Sequence, residues 1–217
     1  MKKLVIFDLD GTLLNTISDL AAATNYALTQ MGYPTHPLAS YNMMVGNGVT
    51  KLLERALPPE YRTPRHIEAM RGYFQEYYGE HLCDTTKPYD GIREMLAELV
   101  GHDIRIAVAS NKYQQATSAL IEHYFSELPW ASVYGHRIEF PVKPDPSVVF
   151  AILNECPTAK DDVLYVGDSG VDMVTARRAG VESCGVTWGF RSRLELENNY
   201  ADHVVDNARD ILSIAIG

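Results

Sequence analysis

Along the 217-residue chain, short unbroken apolar runs alternate with stretches whose apolar positions recur every three to four residues. Residues 4–7 form one such run and lead directly into Asp8-Leu9-Asp10-Gly11, the pattern of a central strand buried on both faces and ended by a turn. Similar runs recur at 104–109, 163–166 and 183–186, with weaker ones at 132–134 and 203–205. Helical periodicity separates most of them, over 92–100, 114–125, 147–155 and 171–179. Alternating strand and helix predicts an α/β fold with a doubly wound parallel sheet and helices on both faces.

Residues 16–84 break this rhythm, because they contain no strand pattern. Leu20, Ala23, Ala27, Leu28 and Met31 share one helical face, which Gly32 and Pro34 end. Val49, Leu52, Leu53, Ala56 and Leu57 form a second stripe, stopped by Pro58-Pro59. A third helix starts at Thr63-Pro64 and carries Ile67, Met70, Phe74, Tyr77, Tyr78 and His81, its tyrosines predicted to fill a local core. The expected organisation is a core of 1–15 and 85–217 interrupted by an all-α insertion at 16–84.

Charge and cysteine content narrow the function classes. The formal net charge is -9, which argues against nucleic acid and against a basic membrane-binding face. An anionic substrate therefore needs a local cation. Cys83, Cys156 and Cys184 are far apart and form no CxxC pair, which reads as reduced thiols in a cytoplasmic protein. The apolar run before Asp8 is too short for a signal peptide, and no run approaches the roughly 20 residues of a membrane helix. The seven histidines show no pair at helical zinc spacing.

Four polar clusters fall at or beside the carboxyl ends of predicted strands, where open parallel sheets bind ligands. They are Asp8-Leu9-Asp10-Gly11-Thr12, Ser110-Asn111-Lys112, Lys143-Pro144-Asp145-Pro146, and Gly167-Asp168-Ser169 with Asp172. Asp8 and Asp10 are two residues apart and in extended chain point the same way, so they repel unless a cation lies between them. A hard cation with oxygen ligands, such as magnesium, fits, with Asp168 completing its site. One ionised carboxylate can attack phosphorus while a second moves the proton. Taken singly, each cluster reads as readily as structure: Asp-Gly ends a strand, Ser110 and Asn111 cap the next helix, Lys143 is solvated, and Asp168 and Asp172 start a helix. Taken together and in this order, they assemble a phosphate site with its metal.

The DLDGTLLN, SNK, VKPDP and GDSGVDM segments make the chain resemble the haloacid dehalogenase superfamily, in its phosphoglycolate-phosphatase-like branch. The resemblance spans nearly the whole chain and implies a Rossmann-like core, with the helical insertion as a cap. It implies Asp8 as the nucleophile that forms an aspartyl-phosphate and Asp10 as the general acid and base. It places Mg2+ on the Asp8 side chain, the Asp10 backbone carbonyl and Asp168, with Asp172 close by. Gly11, Thr12, Ser110, Asn111 and Lys143 would hold the phosphoryl group, and Asn47 the rest of the substrate. Asn15 stands where the family usually has Asp at the hinge, with tuning of cap closure as the expected effect.

Superfamily membership leaves several chemistries open. Dehalogenases lack the second carboxylate, and Asp10 is present. Mutases carry a cap arginine that the Gly46-Asn47-Gly48-Val49 loop lacks. Lys51 is the only lysine of the cap and is the position where a phosphonoacetaldehyde hydrolase would need its imine-forming amine; its neighbours do not match that family. The expected reaction is phosphate-monoester hydrolysis, most of all of 2-phosphoglycolate, with mutase, pyrophosphatase and phosphonoacetaldehyde hydrolase as alternatives. The expected partner is a small phosphorylated metabolite, met by a monomer or homodimer.

Overall fold

The computed structural model describes residues 1–138 and 140–217. The chain opens with β1 (Leu4–Phe7), turns at Gly11, and passes through a two-residue strand, β2 (Leu14–Asn15). Four helices follow: α1 (Ile17–Gln30), α2 (Tyr41–Met44), α3 (Val49–Ala56) and α4 (Pro64–His81). The chain returns through β3 (Lys87–Pro88) and then alternates: α5 (Ile92–Gly101), β4 (Arg105–Tyr113), α6 (Gln114–Phe125), β5 (Trp130–His136), α7 (Ser147–Glu155), β6 (Val163–Gly167), α8 (Gly170–Ala179), β7 (Glu182–Val186), α9 (Arg193–Asn198), β8 (His203–Val205) and α10 (Ala208–Ile216).

Six strands form one parallel sheet in the order β5-β4-β1-β6-β7-β8. From β1 the chain builds β4 and β5 on one side and crosses to β6 on the other. The carboxyl ends of β4, β1 and β6 therefore flank the crevice where this topology binds ligands. Every residue of β1 is buried. Val5 and Phe7 pack with Leu96, Leu120 and Ile211 on one face, while Leu4 and Ile6 pack with Val149, Ile152 and Ala176 on the other. That two-sided burial is why the strand reads as a continuous apolar run.

The helical insertion has its own core, in which Leu20, Ala27, Leu28, Leu53, Met70 and Phe74 meet. Thr63 caps α4 by accepting from the His66 amide, and Pro64 occupies the first turn. As the stripe predicts, Tyr78 is fully buried in this core and Tyr77 packs against it, while Tyr73, off the stripe, is exposed. One departure concerns β4. It does not stop at Ala109 but runs to Tyr113, with a register irregularity against β5 between Ala109 and Tyr113. Ser110, Asn111 and Lys112 thus belong to a strand end and do not cap α6, whose N-cap is Tyr113. Helices α9 and α10 are additional to those the apolar pattern singles out. Among the described residues, no helix is long and apolar enough to cross a membrane.

Two chain crossings join the cap to the sheet, and both are tied. β2 and β3 pair antiparallel, Leu14 with Pro88 and Asn15 with Lys87. One turn into α1, buried Asp19 accepts from the amides and hydroxyls of both Thr85 and Thr86, at 2.5 to 3.1 Å. Burial alone would raise the Asp19 carboxyl, but the Thr85 and Thr86 donors outweigh it and hold it below the usual carboxylate range. A folded-state value below the unfolded one contributes stability above the unfolded value, near pH 4, and that contribution is lost as pH falls through the folded value. Asp19→Ala should cost about 2–4 kcal/mol in urea unfolding at pH 7, because four donors lose a charged acceptor. The gap between variant and wild type should shrink below about pH 4; a gap that stays constant with pH would show that the charge of Asp19 carries no stability.

Candidate active site

Asp8 leaves the carboxyl end of β1, Lys143 comes from the loop after β5, and Asp168 and Asp172 follow β6. Lys143 is buried, and its ammonium meets Asp8 Oδ1 at 3.0 Å, Asp172 Oδ1 at 2.8 Å and the Ala109 carbonyl at 2.9 Å. It donates hydrogen bonds to Asp172 and to the Ala109 carbonyl, and Asp8 is its second ion-pair partner. Burial would favour loss of its proton, but the facing charges of Asp172 and Asp8 outweigh that and hold Lys143 well above the ordinary lysine value. Asp8 is pushed up to about 7, by burial first, against the lowering pull of Lys143 and with Asp172 and Asp10 adding repulsion. Asp168 is raised well above its ordinary value by burial, then by Asp172 and Asp8.

Single oxygens of Asp8, Asp168 and Asp172 approach within 4.8 Å of one another. Three carboxylates here face one ammonium, and a divalent cation would supply the two positive charges that are missing. The donor pattern refines which oxygens are open. Both Asp172 oxygens are spent, one on Lys143 and the other on the Ser169 amide and hydroxyl, which form a capping box for α8. Asp8 Oδ1 takes the Leu9 amide and Lys143, and Asp168 Oδ2 takes the Phe190 amide. Asp8 Oδ2 and Asp168 Oδ1 have no protein donor among the described residues, which fits them to a cation. Asp172, beside them, is also paired with Lys143.

The Asp10 side chain already faces a cation, a lysine to which the sequence expectation gave no role. Its oxygens face Lys112 Nζ at 3.0 and 3.1 Å, and Oδ1 also accepts from the Thr16 hydroxyl at 2.7 Å. Each motif carboxylate thus has its own lysine. Lys112 is the residue that sequence reasoning passed over. The available signal was a basic residue directly after Ser110-Asn111 at a strand end.

Asp8, Asp10, Ser110, Asn111 and Lys112 line one side of a cavity. Leu20, Val45, Gly46, Gly48, Val49, Leu52, Phe74 and Tyr78 of the cap close the other. It is small and partly open to solvent. Ser110 Oγ accepts from the Lys112 amide, which leaves its proton for a ligand. Asn111 is committed: Nδ2 donates to the Gly46 and Lys143 carbonyls, and Oδ1 accepts from the Lys143 amide. Its side chain therefore positions the cap loop and the lysine, while the residue still lines the cavity. Gly11 (φ +83°) does not line the cavity; a Cβ there would collide with the Asp168 carboxylate, so its role is to leave room. Thr12 is fully buried outside the cavity, its hydroxyl without a partner and its carbonyl held by Trp188.

The cap loop also differs from expectation. Asn47 does not line the cavity, because Arg55 Nη2 holds its Oδ1 at 2.7 Å. Arg191 of the core donates to the Val45 carbonyl at 2.7 Å, so two arginines flank a loop whose own sequence has none. Both brace the loop. Lys51 lies on an exposed face, paired with Glu54 at 2.6 Å, and is not among the residues lining the cavity.

The haloacid dehalogenase-like hydrolase family model matches residues 5–186. Phosphoglycolate phosphatases of Haemophilus influenzae and Pasteurella multocida are 31% and 32% identical, each match covering 98% of this chain and 97% of the relative. A crystal structure from Lactobacillus delbrueckii subsp. bulgaricus, of a protein assigned as a phosphoglycolate phosphatase, superposes with a TM-score of 0.93 at 29% identity over 99% of both chains.

The buried charge cluster makes a stability prediction independent of turnover. Lys143→Met should destabilise the fold by about 3–5 kcal/mol near neutral pH, because Asp8 and Asp172 lose their shared counter-ion. Chemical denaturation checks this, and an unchanged midpoint would mean that the carboxylates are neutral in the folded protein.

Proposed function

The chain belongs to the haloacid dehalogenase-like hydrolase family, and from that membership we propose that it is a magnesium-dependent phosphatase of small phosphate monoesters, with 2-phosphoglycolate as a principal substrate. The observation that carries the reading is Asp8 itself. It is a buried carboxylate oriented by Lys143 beside the Ser110 hydroxyl and a second carboxylate, at the floor of a cavity roofed by helices. The choice of substrate is supported by near-full-length similarity to curated phosphoglycolate phosphatases.

In the proposed reaction an Asp8 oxygen attacks phosphorus as the bond to the leaving oxygen breaks, giving an aspartyl-phosphate and an alcohol. Asp10 in its acid form gives the leaving oxygen a proton. As a carboxylate it then takes a proton from the water that attacks the same phosphorus, which frees inorganic phosphate and restores Asp8. Ser110 donates to a phosphoryl oxygen, and Lys143 holds Asp8 on aim. Magnesium, held by Asp8, Asp168 and the Asp10 backbone carbonyl, would offset the negative charge of the phosphoryl group. The residues 16–84 act as the cap that keeps water and large substrates out. The unpaired state of Cys83, Cys156 and Cys184 suits a cytoplasmic enzyme.

The alternatives lack a matching feature. An imine-forming lysine would have to be in the cavity, and Lys51 is outside it. A second phosphate would need an uncommitted cap arginine, and Arg55 is spent on Met44 and Asn47.

Magnesium should raise the melting temperature of the wild type in a saturable way, and Asp168→Asn should abolish the rise. An equal rise in both proteins would remove Asp168 from the metal site. Asp8→Asn should fold and form no phosphoenzyme, whereas Asp10→Asn should slow turnover by about 10²-fold or more. In a panel of phosphate esters, 2-phosphoglycolate should rank among the best. Phosphoryl labelling of Asp8→Asn at wild-type levels would refute the nucleophile, and inert 2-phosphoglycolate beside rapid hexose-phosphate turnover would refute the substrate.

A further inference from the structure

Lys112 has no assigned part in the reaction above, yet its place is unusual. It lies at the end of β4 with its side chain 3% exposed, and it is the only cationic residue among those lining the cavity. Both of its close polar contacts go to the oxygens of one carboxylate, Asp10, at 3.0 and 3.1 Å. The ammonium has three N–H donors, so at least one has no protein acceptor among the described residues. Lys143 is different, since its ammonium already faces Asp8, Asp172 and the Ala109 carbonyl and does not line the cavity. The Tyr78 ring centroid lies 4.9 Å from Lys112 Nζ and limits where the ammonium can go. Tyr78 lines the same cavity, and its own hydroxyl is buried without a hydrogen-bond partner. Buried, unsatisfied polar groups call for a partner, and a polar ligand in this cavity can be one.

The remaining cap wall is apolar, formed by Leu20, Val45, Val49, Leu52 and Phe74. A substrate whose phosphoryl group met Asp8 would have its other end in the cavity that this wall and Lys112 line. An anionic end gains an ion pair in a site of low polarity, whereas a neutral end leaves the spare donor unmet.

We propose that Lys112 is the specificity-determining residue of this cavity, binding the carboxylate of a short phosphorylated hydroxy acid such as 2-phosphoglycolate. The assignment rests on the phosphatase reading above and places carboxylate recognition on a buried lysine of the core. Lys112 then makes two contacts at once, holding Asp10 and pairing with the substrate.

The test compares 2-phosphoglycolate with ethyl phosphate, which replaces the carboxylate by a methyl group, in wild type, Lys112→Met and Lys112→Arg. Loss of the Asp10 contact should slow both esters in Lys112→Met, so the measured quantity is the ratio of their kcat/KM values. Wild type should favour the carboxylate, and Lys112→Met should cut that preference by roughly tenfold to a hundredfold. Lys112→Arg should retain part of it. A binding experiment removes catalysis from the question. Inhibition by 3-phosphonopropionate relative to propylphosphonate should show the same preference in wild type and lose it in Lys112→Met. If the variant keeps the wild-type ratios while both esters slow equally, Lys112 is only the counter-ion of Asp10 and the proposal is overturned. A wild type that treats the two esters alike overturns it as well, while leaving the phosphatase reading intact. A wild type that hydrolyses neither overturns the phosphatase reading itself.

Discussion

A buried ammonium surrounded by carboxylates is the interaction on which the rest of the site depends. Asp8, Asp168 and Asp172 are brought within a few ångströms of one another in a largely buried place. Desolvation and mutual repulsion would drive them to the neutral form, and a neutral Asp8 is a poor nucleophile. Lys143 counters this from the centre of the cluster by touching Asp8 and Asp172 together. One lysine does not balance three carboxylates, and this deficit is the physical argument for a dication. The open oxygens on Asp8 and Asp168 indicate where it belongs.

The neighbouring structure serves that arrangement. Asn111 fixes the Lys143 backbone and the Gly46 carbonyl with one side-chain amide, so the lysine loop and the cap loop share a single clamp. Gly11 makes room for Asp168, and the Phe190 amide orients it. Ser169 and Asp172 start α8 and at the same time set the second acceptor of Lys143. Functional and folding roles therefore coincide in several residues, and substitutions here act on both.

The second lysine separates the two motif carboxylates. Asp10 is held by Lys112 from β4 and by Thr16 at the entrance to the cap, whereas Asp8 is held by Lys143. Two acids two residues apart thus have different surroundings, which is what distinct chemical roles require. Asp10 also links the sheet to the hinge. Asp19 and the β2–β3 pair tie the two crossings, so the cap is joined to the core by polar contacts beside the site rather than by a loose linker.

By itself the sequence determined the strands of the sheet, the helical insertion and the four clusters of polar residues. These are local facts: burial on both faces leaves an unbroken apolar run, and an amphipathic helix leaves a stripe. Asp8, Lys143 and Asp168 were legible because each follows such a run or a Pro-bracketed turn. Only the tertiary structure decided the order of the strands and which charge meets which. Lys112 and Asp10 are 102 residues apart, Lys143 and Asp172 are 29 apart, and Arg191 reaches a cap loop 146 residues earlier. Thr12, Asn47 and Asn111 were expected to hold substrate because the segments they lie in resemble those of the family. In the folded chain Thr12 is buried away from the cavity, while Arg55, Gly46 and Lys143 already occupy Asn47 and Asn111. A residue's type shows which bonds it can make; its neighbours in space, set by packing across the whole chain, decide which of those bonds remain for a substrate.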